Sequence, residues 1–331
     1  MLLPELRKLL GILLFGAALA AGTANAQINS DIRVIKVTDY MLAFYDGRPS
    51  TPPKTGGTEN WADSGSMDLG VATYAIYRGD EALVWDTFPT MQQSKWVRDH
   101  LEQMGIKRIT VVNSHYHLDH IGGNGTYANA PIIASKGTLE SLLEKRAAIE
   151  SGNLWGPPAI LPLVLPNKVF EGKMEVMVGD VKVELHNVDI HTPDSLVAFL
   201  PADKILLAGD TMEDTLVYIS TPASVPAQID NLEALKQFGI ARIYPNHGNI
   251  DVIENGGYDD TLIDATKIYL RNMTLRAKDA DFLTMPLETA VEESLTKGWI
   301  SVWKPYRHVH QSNLESLQEY YKDRPLPTLR D

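Results

Sequence analysis

The stretch "VVNSHYHLDHIGGN" at residues 111–124 places His115, His117, Asp119 and His120 within six positions, between an apolar run and a glycine pair. That pattern is a β-strand running into a turn. Imidazole and carboxylate are the ligands of a borderline cation such as zinc, and alternate residues leaving a strand can converge on one point. The fold must therefore bring this strand end to an open edge and deliver further ligands from elsewhere. Three later positions repeat the pattern of an apolar run ending in a ligand-type side chain: His191 after "VKVELHNVDI", Asp210 after "KILLAG" and His247 after "ARIYPN". Strand ends along one edge of an α/β fold form a common rim where ligand sites are built. Seven nitrogen and oxygen ligands on such a rim suit two ions better than one.

The rest of the chain alternates short β-rich runs with amphipathic helices. "IRVIKV", "YMLAFY" and "VATYAIYRGDEALVWDT" read as strands, the last as a pair around Arg78-Gly79-Asp80. A Gly/Pro/Ser-rich loop from Asp46 to Gly70 carries Trp61 and is long enough to be a flap over a site. A helix is predicted from about Thr90 to Met104, with a capping box in Thr90 and Gln93 and Gly105 as its stop. "GTLESLLEKRAAIE" is helical, "NLWGPPAILPLVLPN" is a proline-broken connector, and a second β series follows from "FEGKMEVMVG" to "KILLAGD". Beyond His247 the pattern is mostly helical.

Arg7 and Lys8 precede an apolar run, Leu9 to Ala21, and Ala24-Asn25-Ala26 offers a small-residue cleavage site. Residues 1–26 thus read as a secretory signal peptide cleaved after Ala26, since the apolar run falls short of the roughly 20 residues needed to span a bilayer. The mature protein is expected in the periplasm or secreted, with no membrane association. Its net charge of −12, one unit deeper after cleavage, argues against nucleic acid as partner. There is no cysteine in the 331 residues, which excludes disulfides, thiolate ligands and a cysteine nucleophile together.

The set H-x-H-x-D-H followed by a single His, a single Asp and a final His resembles the signature of the metallo-β-lactamase superfamily, from about Ile32 to His247. The resemblance implies an α/β fold, a four-layer αββα sandwich with its ligands on one edge, here with a helical C-terminal extension. After the signal peptide 1–26 read above, the chain divides into a catalytic domain 27–250 and a helical extension 251–331. The resemblance also implies two zinc ions per chain, with iron or manganese as other occupants. His115, His117 and His191 would hold one ion, Asp119, His120 and His247 the other, and Asp210 would bridge them. His191 competes with His186 for its role; the segment "HTPDSLVAFLP" resembles the family's His-Thr segment, although Ile190 stands where the family has glycine.

A pair of such ions turns water into a metal-bound hydroxide near neutral pH, so no serine or cysteine is needed. Asp119 would orient it and shuttle its proton. The expected reaction is hydrolysis of a small molecule with a hydrolysable carbonyl: a lactone, ester, thioester or β-lactam amide. A bridging Asp in place of cysteine is similar to glyoxalase II and lactonases. A β-lactamase proper, and a mononuclear iron dioxygenase of the persulfide-oxidising type, are the alternatives. Asp86 in "VWDT" is expected to support a ligand by hydrogen bonds. Gly122 and Gly123 are expected to let the chain turn sharply. His308 and His310 could reach the rim, and His100 is expected to be a surface or packing residue.

Overall fold

A computed structural model describes residues 31–48 and 60–329, so the expected signal peptide and part of the expected flap lie outside the described residues. The first half of the chain supplies β1 (Arg33–Thr38), β2 (Met41–Asp46), β3 (Val71–Arg78), β4 (Glu81–Trp85), α1 (Met91–Gln103), β5 (Arg108–Val112), α2 (Leu118–Ile121), β6 (Ile132–Ser135) and α3 (Lys136–Ser151). Next come β7 (Lys168–Phe170), β8 (Lys173–Val178), β9 (Val181–Asn187), β10 (Leu196–Leu200), β11 (Ile205–Gly209), α4 (Val225–Leu235) and β12 (Arg242–Pro245). The remainder is helical: α5 (Ile250–Glu254), α6 (Thr261–Arg276), α7 (Leu287–Ala290), α8 (Glu292–Thr296) and α9 (Tyr306–Tyr321).

Strands β1 to β7 form one sheet in chain order, and β12-β11-β10-β9-β8 form the other. The first begins as an antiparallel meander and turns parallel from β4 onward. Its period-2 alternation assigns each face. Leu42 and Phe44 of β2 join Val97 and Leu101 of α1 in an outer core, whereas Met41, Ala43 and Tyr45 join Val183, Leu185 and Leu207 of the second sheet in the central one. Ile229 and Leu232 of α4, Leu262 and Leu270 of α6, and Leu314 and Leu317 of α9 belong to an apolar cluster continuous with it through the second sheet, whose strand residues such as Leu206 and Leu207 face both ways. The result is two mixed sheets face to face with helices outside, an αββα sandwich whose C-terminal helices extend beyond it. Burying one apolar stripe of each helix against a sheet is what closes the layers.

Local signals act as the sequence suggests. Thr90 caps α1 by accepting the Gln93 amide at 3.3 Å and donating to the Gln93 side-chain oxygen at 2.9 Å. Two expectations need correction. The part of the 46–70 loop that is described is not open coil, because Asp63–Met67 form a π-helical turn. Gly122 and Gly123 have ordinary negative φ. They are needed for close approach instead, since a Cβ would lie 2.0 Å from Pro89 O and 2.1 Å from Thr87 O respectively.

Candidate metal centre

Strand β5 ends at Val112, and the next eight residues deliver His115, His117, Asp119 and His120, the last two on the single turn α2. Asp210 follows β11 directly, and His247 lies two residues beyond β12. His191 sits in an irregular turn after β9, with φ +67°. All seven side chains are buried and meet at one edge of the sandwich. They fall into two groups able to hold a metal ion, His115/His117/His191/Asp210 and Asp119/His120/His247, with ligand atoms within 4.8 Å of one another. His186 is not among them: it lies in β9, 19% exposed, 3.3 Å from Glu184.

Asp210 is the hub. Its Oδ2 is 3.0 Å from His120 Nε2, 3.6 Å from His247 Nε2 and 3.7 Å from Nε2 of both His115 and His191. Asp119 Oδ2 is 3.0 Å from His247 Nε2, and its Oδ1 is 3.5 Å from His120 Nε2. Bonds of about 2.0–2.2 Å in a tetrahedral shell separate ligand atoms by roughly 3.3–3.6 Å, so these spacings are close to the edges of such a shell.

The hydrogen bonds behind the rings decide which nitrogens face the centre. His191 Nδ1 lies 3.1 Å from Tyr218 O, and His247 Nδ1 meets Gly70 O at 2.6 Å. A carbonyl only accepts, so Nδ1 carries a proton in both and Nε2 faces the centre, as a lone pair in His191. His120 Nδ1 likewise meets Asp86 Oδ2 at 3.0 Å. Asp86, at φ +64°, also accepts the Ser114 amide at 2.7 Å and Asn246 Nδ2 at 2.7 Å, the supporting part expected of it.

A cation suits this arrangement on two observations. His115 Nε2 and Asp210 Oδ1 are buried without a hydrogen-bond partner. His191 Nε2, already a lone pair, points at His117 Nδ1 from 3.0 Å, a pairing that needs a proton or a cation between. Burial and the neighbouring imidazoles hold His115 and His117 well below the usual histidine range. Burial opposes charge on His247 too, but Asp210 and Asp119 raise it to about 9. In Glu213, buried three residues after Asp210, burial and the Asp210 carboxylate push the carboxyl up to about 8.

Above the metal groups lies a cleft of about 570 Å³, lined by Trp61 and Leu69, by Trp155 and Pro157 of the connector, by Tyr218, and by His308, Val309 and Ser312 of α9. Trp61 is 6% exposed and its Nε1 donates to Pro158 O at 2.9 Å, so it is a fixed wall. Trp155, 40% exposed, stands edge-on to both Trp61 and His117, at centroid distances of 6.3 and 4.9 Å. His308 lines the cleft, whereas His310 is buried and bonded to Met285 O and Tyr269 instead. His100 stacks on Trp96 far from the centre. No motif marks Trp155, Tyr218 or Glu213 as site residues. Arg48 is equally unmarked; it donates to the carbonyls of Leu69 and Asp214, beneath the rings of Trp303 and Tyr306.

The sequence pattern of the Metallo-beta-lactamase superfamily matches residues 67–247. The chain is 25% identical over 148 residues to an N-acyl homoserine lactonase of Bacillus sp., covering 43% of this chain and 53% of that protein. It is 28% identical over 147 residues to an N-acyl homoserine lactonase of Bacillus thuringiensis, covering 42% and 54%. It thus spans about half the length of these relatives. Among solved structures, a metallo-beta-lactamase from Pontibacter korlensis superposes with a TM-score of 0.54 at 18% identity, covering 73% of this chain and 99% of that one. The DIM-1 metallo-beta-lactamase exposed to ceftazidime gives 0.51 at 18%, covering 71% and 94%.

Proposed function

This chain belongs to the metallo-beta-lactamase superfamily, and from that premise we propose that it is a metal-dependent hydrolase that cleaves an uncharged carboxylic-acid derivative, a lactone or ester, with two zinc ions. The observation that carries the two-metal reading is Asp210, one carboxylate within 3.0–3.7 Å of imidazoles from both groups. His115, His117 and His191 would hold one ion, Asp119, His120 and His247 the other, with Asp210 between them. Bound there, such a pair supplies Lewis acidity and lowers the pKa of water toward neutrality.

The chain's own residues supply the rest. Asp119, with Oδ1 and Oδ2 set between His120 and His247, would orient the attacking water and take up its proton at a carboxylate oxygen. Trp155, Trp61 and Tyr218 present apolar surface at the entrance, which excludes bulk water and receives an acyl or aryl group. No lysine or arginine occurs among the described residues lining the cleft, so a substrate carboxylate such as that of a β-lactam finds no ammonium or guanidinium partner there. The likeness to N-acyl homoserine lactonases supports the lactone reading. Residues 27–250 form the catalytic body in this reading and 251–331 the extension that walls its cleft. Export after cleavage at Ala26 belongs to the same proposal, on the pattern of the first 26 residues.

Metal analysis of the purified protein followed by a panel of aryl esters, acyl-homoserine lactones, S-lactoylglutathione and nitrocefin tests this. Two zinc ions per chain with turnover of uncharged esters or lactones above nitrocefin are expected. One iron per chain with oxygen consumption on a persulfide would overturn the reading.

A further inference from the structure

We infer that Asn313 of α9 is a positioning residue for His191, acting through the single peptide group that joins Tyr218 to Ile219. The inference rests on the reading of His191 as a metal ligand. His191 stands in a left-handed backbone conformation outside any strand, so its neighbours do not fix its ring as a β-ladder would. Its orientation depends on what Nδ1 meets, and that is Tyr218 O at 3.1 Å. In a trans peptide the carbonyl and the following N–H lie in one plane and point in opposite directions. The N–H of that same plane, on Ile219, donates to Asn313 Oδ1 at 2.8 Å. Asn313 Nδ2 donates to Val217 O at 2.9 Å, so one side-chain amide grips the peptides on both sides of Tyr218. Turning the Tyr218 carbonyl away from His191 would break the Asn313 contact as well.

The orientation of Asn313 is itself determined. His310 Nε2 faces Met285 O at 2.9 Å and must carry the proton, which leaves Nδ1 to accept from Tyr269 OH at 3.2 Å. The Tyr269 hydroxyl, its proton committed, can only accept from Asn313 Nδ2, at 2.9 Å. That places Nδ2 toward Tyr269 and Val217, and Oδ1 toward Ile219. From His191 through Tyr218–Ile219, Asn313, Tyr269 and His310 to Met285, one continuous line of donors then runs outward, with the second Asn313 N–H returning to Val217 O. Asn313 is fully buried, as such a line requires. The C-terminal extension thereby becomes part of the metal centre.

The test compares Asn313→Leu, Asn313→Asp and Tyr269→Phe with Leu317→Ala, which loosens the apolar packing of α9 but leaves the hydrogen bonds of the Asn313 amide in place. Metal affinity is read by chelator competition, ligand geometry by the visible spectrum of the cobalt-substituted protein, and folding by the melting temperature of the metal-free form. In the Asn313 variants one of two metal equivalents should weaken about 10- to 100-fold, as for other residues that orient a ligand, with an altered cobalt spectrum. Tyr269→Phe should show a smaller shift of the same kind and decides the matter if Asn313→Leu does not fold. Leu317→Ala should lower the metal-free melting temperature and leave both affinities and the spectrum alone. Unchanged affinity and spectrum in the folded Asn313 and Tyr269 variants would overturn the inference, as would an equal loss in Leu317→Ala. A wild-type protein that takes up fewer than two ions overturns the two-metal reading itself, a distinct result.

Discussion

His120 and His191 both turn Nε2 inward, yet what holds the far side of each ring comes from opposite parts of the molecule. Behind His120 stands Asp86 at the end of β4, bound in turn to the Ser114 amide and to Asn246, whose oxygen accepts from Trp85 Nε1 at 3.1 Å. Every member belongs to a strand of the sandwich or to the residues just past one. Behind His191 stands the Tyr218 carbonyl on a loop, held by Asn313 of the C-terminal extension. One half of the centre is built into the sheets and the other is braced by an added helix. The difference teaches that a metal site can be continuous in space while its rigidity has two separate origins.

The largest expected effect erases the comparison. Asp210 touches both halves, so Asp210→Ala should lose both metal equivalents and all hydrolytic activity, beyond the roughly 100-fold limit typical of a supporting residue. His115→Ala and His247→Ala should each lose one equivalent. Elemental analysis after dialysis measures this, and an Asp210→Ala protein that keeps both ions would remove the bridge from the account.

Next in size is Asp86→Ala, which strikes the half built into the sheets. It leaves the Ser114 amide, His120 Nδ1 and Asn246 Nδ2 short of a buried acceptor, at about 1–3 kcal/mol for each group left unsatisfied. The metal-free melting temperature should fall by several degrees, together with a 10- to 100-fold loss of affinity for one equivalent only. The Asn313 variants should weaken the other equivalent. Loss of the same equivalent in both, as resolved by cobalt spectra, would collapse the two origins into one.

This division also explains what the sequence makes legible. His115 to His120 lie in one six-residue run, and Asp210 and His247 end apolar strands, so their convergence follows from the strand-edge rule of α/β folds. Asp86 is readable on the same ground, as a carboxylate just past a strand. His191 is harder, because three irregular residues separate it from β9 and His186 offers a rival nearer the strand. In the structure His191, 1% exposed, lies in one of the two groups able to hold a metal, and His186 lies in neither. Asn313, Tyr269 and Arg48 carry no local pattern at all. The partners of Asn313 and Tyr269 lie 94 and 44 positions away and meet only through packing of the extension, while Arg48 reaches Asp214, 166 positions on, within the sandwich body.

Trp155→Ala should have a smaller effect and bears on the half that contains His117. The ring is partly exposed and makes edge contacts with Trp61 and His117, each of a kind contributing about 0.5–1.5 kcal/mol. KM for esters with an apolar acyl chain should rise about 3- to 10-fold while kcat and metal content stay near wild type. Steady-state kinetics over a chain-length series reads this. A fall in kcat with KM unchanged would place Trp155 in support of His117 and give that half a third origin of rigidity.

The smallest effect lies at the sheet edge remote from both halves and serves as their control. Lys173 and Lys182 donate to Glu184 at 2.8 Å each, and these bonds hold its carboxyl down at about 2. A carboxyl depressed in the folded state contributes stability that is complete above its unfolded value near 4.5. That contribution is lost as pH falls from there toward 2. Glu184→Gln should therefore lower the melting temperature slightly at pH 7, by less than about 1 kcal/mol of stability as for exposed ion pairs. The gap between variant and wild type should close as the pH is lowered below 4. Metal affinity should be untouched throughout, because no residue of this ladder belongs to either metal group. A Glu184→Gln protein with weakened metal binding at pH 7 would show that rigidity reaches the centre from β8 and β9 as well, and the contrast between the sheets and the extension would lose its meaning.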